Sequence, residues 1–153
     1  MNYLRYAWVH VATALGLGVA AWALRQFAGI NISSAGLGVL PPLVAAMEVG
    51  DAHARVSGRL PESGPAWRFA FIAMLISFGL SVVFTLLAGL ALPEQVAAMK
   101  QEVAMALGTK GSILASIAAF LLAFFLVVTL LVNRYFLTFG AKIRLKNLKK
   151  AGR

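Results

Sequence analysis

FAFIAMLISFGLSVVFTLLAGLAL, Phe69 to Leu92, runs for 24 residues without a charge. A helix needs about 20 predominantly apolar residues to cross the hydrocarbon core of a bilayer. This stretch alone therefore predicts a membrane protein. Two more runs lie outward from it. Ile113 to Val132 is uncharged throughout, and Trp8 to Leu24 carries one histidine and one threonine but no charge. The whole chain follows suit: of 153 residues, 61% are apolar and only 12% charged. A soluble domain has about 45–50% and 25%. No connecting segment is long enough to build a separate core. Cysteine is absent, which excludes disulfides, thiolate metal sites and CxxCH haem attachment. Ala21-Trp22-Ala23 mimics a signal-peptidase site, but the apolar run before it is longer than a signal core. The first segment is therefore expected to stay as a span.

The second segment is harder to read. GLGVLPPLVAAMEVGD, Gly36 to Asp51, is apolar but holds two prolines and ends in two carboxylates. Pro41 and Pro42 have no N–H, so in a continuous helix the carbonyls of Leu37 and Gly38 would lose their donors. An unsatisfied carbonyl in lipid costs several kcal/mol. The expectation is an irregular or kinked stretch through Gly38, with Pro42 in the first turn of a helix reaching about Arg55. Leu37, Gly38, Pro41, Pro42 and Glu48 form a candidate polar or ion site, as in broken-helix transporters. The alternative is a structural kink satisfied by a neighbouring helix.

The expected fold is an all-α integral membrane protein forming one domain over 1–153. It is a four-helix transmembrane bundle with a kinked or broken second helix. Spans are placed at about 6–27, 32–49, 67–92 and 111–138, with a basic tail at 140–153. Gly50 to Pro65, rich in glycine and proline, reads as a loop. Val96, Met99, Val103 and Leu107 recur at helical spacing and predict a short outer interfacial helix closed by Gly108. Tyr3, Tyr6 and Trp8 read as an aromatic belt, as do Trp22 and Phe27.

Lys and Arg set the orientation. If the second segment spans, both termini are cytoplasmic and the inner side holds eleven of the 14 basic residues. If it is re-entrant, Arg25 replaces Arg5 inside and the count is unchanged. Charge fixes the tail and the Arg55 loop inside, and leaves that choice open. The net charge of +9 suits anionic headgroups, contacted by Lys142, Arg144, Lys146, Lys149 and Lys150, rather than nucleic acid.

Helices associate in lipid through close backbone approach and interhelical hydrogen bonds. Three small-residue faces at four-residue spacing are candidates: Ala12, Gly16 and Ala20; Ser77, Ser81, Thr85 and Gly89; and Ala115, Ala119 and Ala123. They either hold the chain's own helices together or take a partner. Glu48, Asp51, Arg55 and Arg68 are expected to form an interfacial charge cluster anchoring segments two and three, or to include a proton-coupled or substrate-binding carboxylate. Asp51 and Arg55 sit at i,i+4 on one helix face. His10 reads as an interhelical hydrogen-bonding group, with no second metal ligand at i+3 or i+4. No catalytic fingerprint, metal site or cofactor site is found.

LRYA at Leu4 to Ala7, GLG-x-x-PP from Gly36 to Pro42, GR-x-P at Gly58 to Pro61 and AWR at Ala66 to Arg68 together resemble the ABZJ-type family of small bacterial inner-membrane proteins. The resemblance implies four spans and a bacterial inner membrane, and it carries no catalytic residues. The functional expectation is a non-enzymatic accessory or interaction subunit that packs against itself or a larger membrane complex. The alternative is a small oligomeric transporter or channel using the Pro41-Pro42 break and Glu48.

Overall fold

The computed structural model describes residues 1–30, 38–91 and 93–151. It is all-helical: α1 covers Tyr3–Ala28, α2 Leu40–Ser57, α3 Ser63–Ala91 and α4 Pro93–Ala151. Among the described residues, three helical stretches are long and apolar enough to cross a membrane: Tyr3–Ala28, Ser63–Ala91 and Ala115–Ala151. The 26 residues of α1 rise about 39 Å at 1.5 Å each, more than a core of about 30 Å requires. α2 is not among the three. It has 18 residues and carries Glu48, Asp51 and Arg55.

The helix ends follow from local chemistry. Asn2 caps α1, its side chain accepting from the Arg5 N–H at 3.0 Å, which satisfies one of the orphan amides of the first turn. Gly29 and Gly58 end α1 and α2 in the left-handed region, each with φ of 66°, where a Cβ would be strained. Pro41 and Pro42 occupy the first turn of α2, where an absent N–H removes no helical bond. The prolines thus open the helix, and the described part of segment two has no break inside it. Leu37 lies outside the described residues.

Three expectations are corrected. The connection between α2 and α3 is shorter than the Gly50 to Pro65 loop read from the sequence, because α2 continues to Ser57 and α3 begins at Ser63. Gly64 and Pro65 fall within the first turn of α3, where proline is tolerated. Gly108 does not close a separate interfacial helix, since the backbone is helical from Pro93 to Ala151. A glycine inside a helix costs about 1 kcal/mol relative to alanine, which weakens a helix without ending it. Tyr6 is not in an aromatic belt: it is fully buried.

The chain divides into two compact units, residues 1–77 with 129–153, and residues 78–128. The first unit holds the core. Tyr6 of α1, Ala45, Ala46 and Val49 of α2, Ala66, Phe69 and Ala73 of α3 and Leu137 of α4 form one buried cluster. α1 packs against α2. The buried residues of α2 fall in adjacent rows four apart, Pro41, Pro42, Ala45, Ala46, Val49, Gly50 and Ala54, one face of a helix. Phe69 stacks on Tyr3 at 5.7 Å and meets Tyr6 edge-on at 5.6 Å.

α2 and α4 meet backbone to backbone. A Cβ placed on Gly50 would fall 2.9 Å from the Leu137 carbonyl carbon and closer still to its oxygen. One placed on Gly140 would fall 2.9 Å from Met47 Cα and closer to the Met47 carbonyl. Each glycine therefore admits the other helix's main chain, the approach that drives helix association in lipid.

In the second unit, Val83, Leu86, Leu87 and Leu90 of α3 and Phe120, Leu121 and Phe124 of α4 are exposed. Phe120 stacks on Phe124 with ring centroids 6.5 Å apart, and Thr85 Oγ1 donates to the Ser81 carbonyl at 2.8 Å. Apolar surface of this extent fits hydrocarbon as the surrounding solvent.

Candidate functional site

Two constellations lie in the first unit. The inner one is polar. Tyr6 Oη donates to Asn133 Oδ1 at 2.9 Å and lies 2.8 Å from Ser77 Oγ. Ser77 Oγ is in turn 3.5 Å from His10 Nδ1. The phenol has a single proton. With that proton on Asn133, Tyr6 accepts in its contact with Ser77, which leaves the serine oxygen to receive His10 Nδ1–H. The chain runs His10 to Ser77 to Tyr6 to Asn133 and ties α1, α3 and α4 together. All four side chains are buried, Asn133 and Tyr6 completely. Asn133 Nδ2 has no partner among the described residues. Thr129, one turn before Asn133, is also buried.

His10 thus makes an interhelical hydrogen bond, and Ser77 is a hydrogen-bonding centre as well as a small residue. Tyr6 and Asn133 were missed by sequence reading. Asn133 had a signal: it follows directly on the uncharged run ending at Val132, and an amide beside an apolar segment seeks a partner. Tyr6 had none, because a tyrosine near a helix end reads equally well as an interfacial ring.

The outer constellation is charged. Arg5 Nη2 of α1 donates to Glu48 Oε1 of α2. Asp51 accepts from Arg55 Nη2 at 3.1 Å within α2, and its other oxygen lies 3.8 Å from Arg144 Nε of α4. The cluster therefore joins α1, α2 and α4, whereas the expectation joined segments two and three. Arg68 is exposed and makes no ion pair among the described residues. The guanidinium of Arg134 instead lies 4.2 Å from the centre of the Trp67 ring, a cation–π contact between α4 and α3. The exposed Arg5–Glu48 pair contributes at most about 1 kcal/mol, so it orients the helix ends more than it holds them.

A groove of about 600 Å³ opens beside this cluster. Arg5, Glu48 and Asp51 stand on its wall, with Trp8, Val44, Met47 and Ile143 supplying apolar lining and Gly140 at its α4 side. That volume lies within the range of small-molecule sites, about 300–1,000 Å³. Pro41 and Pro42 are buried and do not line it, so Glu48 and the prolines do not form one site.

The remaining sequence candidates fall as follows. Gly38 is exposed. Ala12, Gly16 and Ala20 are exposed, as are Ser81, Thr85, Ala115, Ala119 and Ala123, while Gly89 is half-buried. Lys142, Lys146, Lys149 and Lys150 are exposed and Arg144 is half-buried. Among the described residues, no three His, Cys, Asp or Glu side chains gather as metal ligands. Outside the spans, His53 is shifted below its ordinary value of 6.5, chiefly by burial and then by the N-terminal ammonium and Arg59.

No family model, curated protein or solved structure matches the chain.

Proposed function

We propose that the chain is a non-enzymatic accessory or interaction subunit of a bacterial inner membrane, packing through α1 against a second copy or a larger membrane complex. The observation that carries this reading is the Ala12, Gly16, Ala20 face. These residues are exposed, and a Cβ on Gly16 would meet nothing within 4 Å. The chain's own close crossing uses Gly50 and Gly140 instead. A slim face left open on an apolar helix suits a partner helix, because van der Waals contact at small residues drives association in lipid.

On this reading the chain crosses the membrane four times, with both termini cytoplasmic and the basic tail against anionic headgroups. The ion pairs support it. Arg5 near the start of α1 meets Glu48 at the middle of α2, and Asp51, about one turn further on, meets Arg144 in the tail of α4. The start of α1, the Glu48 to Asp51 stretch of α2 and the tail of α4 thus share one side, and the chain that leaves this side along α1 has returned to it by Glu48. The family resemblance, which also implies four spans, stands with this proposal.

Single cysteines at Ala12, Gly16 and Ala20, introduced into a chain that has none of its own, test the interface by oxidative cross-linking in native membranes. Cross-links at these positions and not at Val11 or Gly18, which lie on the opposite side of α1 at about 100° per residue, are expected. A protein that stays monomeric and partnerless in mild detergent, with no cross-link at any of the three, overturns the proposal. The groove beside Glu48 favours a second reading as a small oligomeric transporter. Flux in proteoliposomes that Glu48→Gln abolishes supports that reading, and absence of flux across a broad panel of cations removes it.

A further inference from the structure

We infer that the groove beside Arg5, Glu48 and Asp51 holds one phospholipid whose headgroup carries both a phosphate and a primary ammonium. The inference is independent of the partner face on α1. It starts from the arrangement of charge. The groove wall presents two carboxylates and one guanidinium, and a second guanidinium, Arg144, backs Asp51. A singly charged anion entering here would meet Arg5 but face Glu48 and Asp51. A singly charged cation would meet the carboxylates but face Arg5. A zwitterion meets both signs at once.

The groups have capacity for it. Arg5 gives one of its five N–H donors to Glu48, and its side chain is 43% exposed. A guanidinium matches phosphate oxygens in a two-pronged geometry. A carboxylate offers about four lone-pair sites, of which Glu48 and Asp51 use one or two each. A primary ammonium brings three N–H donors to those acceptors, whereas a quaternary ammonium brings none. The apolar wall formed by Trp8, Val44, Met47 and Ile143 then takes an acyl chain. Trp8 is 73% exposed and Val44 39% exposed, so the groove is open from the side, where lipid enters without leaving the bilayer.

The test uses the full chain in lipid nanodiscs. Trp22→Phe with Trp67→Phe leaves Trp8 as the sole tryptophan of three. Trp8 fluorescence is measured with chain-brominated phosphatidylethanolamine, phosphatidylglycerol or phosphatidylcholine at one mole fraction in the same background. Quenching by the ethanolamine lipid should exceed that of either other lipid by about threefold, the ratio expected of a weak but selective site. Glu48→Gln should bring it down to the phosphatidylcholine level. Val44→Phe, which fills the groove, should erase the difference among lipids. Equal quenching by all three lipids means an ordinary lipid annulus and overturns the inference. Strongest quenching by phosphatidylglycerol overturns it too, because the arginines alone would then select the headgroup. The comparison among lipids is made without any groove substitution, so a variant that fails to fold does not rescue the idea.

Discussion

Gly50 and Gly16 separate two uses of the same residue. At Gly50 a Cβ has no room, since it would overlap the Leu137 backbone, while at Gly16 it meets open space. Main-chain atoms cannot rotate aside, so Gly50→Ala must push α4 away from α2. Overpacking of this kind costs about 1–3 kcal/mol, and the thermal midpoint in detergent should fall accordingly. Gly16→Ala should leave the midpoint unchanged or raise it, because alanine is the better helix former by about 1 kcal/mol. Equal effects at the two sites would refute the α2–α4 crossing. His53 makes a second prediction at this scale. Its folded pKa lies below 6.5 because burial and the nearby N-terminal ammonium and Arg59 disfavour the imidazolium. The unfolded chain therefore binds more protons between the lowered value and 6.5, and unfolding takes them up. The contribution to stability is complete above 6.5 and falls away as pH drops through that window. Acetylating the N-terminus removes one of the opposing charges, so the His53 midpoint in an NMR titration should rise. An unchanged midpoint would show that the ammonium does not reach it.

Between elements, Tyr6 is the tie. Its hydroxyl contacts Ser77 of α3 and Asn133 of α4 from a position on α1. Tyr6→Phe keeps the ring against Phe69 but strands a buried Asn133 oxygen. An unmet buried acceptor costs about 1–3 kcal/mol, though polar pairs in membrane proteins average nearer 0.6 kcal/mol. A loss of about 1 kcal/mol in reversible unfolding is expected, and Asn133→Leu in the Tyr6→Phe background should recover part of it. A double variant less stable than the sum of the singles would contradict the pairing. Helix existence was legible in the sequence because long uncharged runs leave no other option in lipid. The opening of α2 was legible in part: prolines lack the N–H that a helix interior needs, which points to a first turn, while a kink packed on a neighbouring helix stood as the alternative. What escaped reading was which small residues pack. Ala12, Gly16, Ala20 and Gly50 look alike in sequence, and only the other helix's backbone distinguishes them. The continuity of α4 through Gly108 escaped for a related reason: a glycine ends a helix only by adopting a left-handed conformation, which no residue type compels. The groove was invisible because Arg5, Glu48 and Ile143 come from three separate helices.

For the whole molecule, the unresolved choice left by charge alone is whether segment two crosses, and the ion pairs bear on it. Eleven of 14 basic residues fall inside under either topology, so their count is silent. Pairing is not. Glu48 is tied to Arg5 and Asp51 to Arg144, and an ion pair at these distances cannot join opposite faces of a core about 30 Å thick. If the basic tail is cytoplasmic, as the positive-inside rule requires, Arg5 is cytoplasmic as well. Arg25, twenty residues further along α1, lies about 30 Å away at 1.5 Å per residue, which on the proposed four-span topology puts it at the opposite face. Single cysteines at Arg5, Arg25, Arg59 and Lys150 in right-side-out membrane vesicles decide it with an impermeant maleimide. Labelling at Arg25 alone is expected before lysis, and labelling at the other three only after it. Labelling of Arg5 with Arg25 protected would instead place the start of α1 outside. That result would make segment two re-entrant and separate Arg5 from Glu48 by a bilayer.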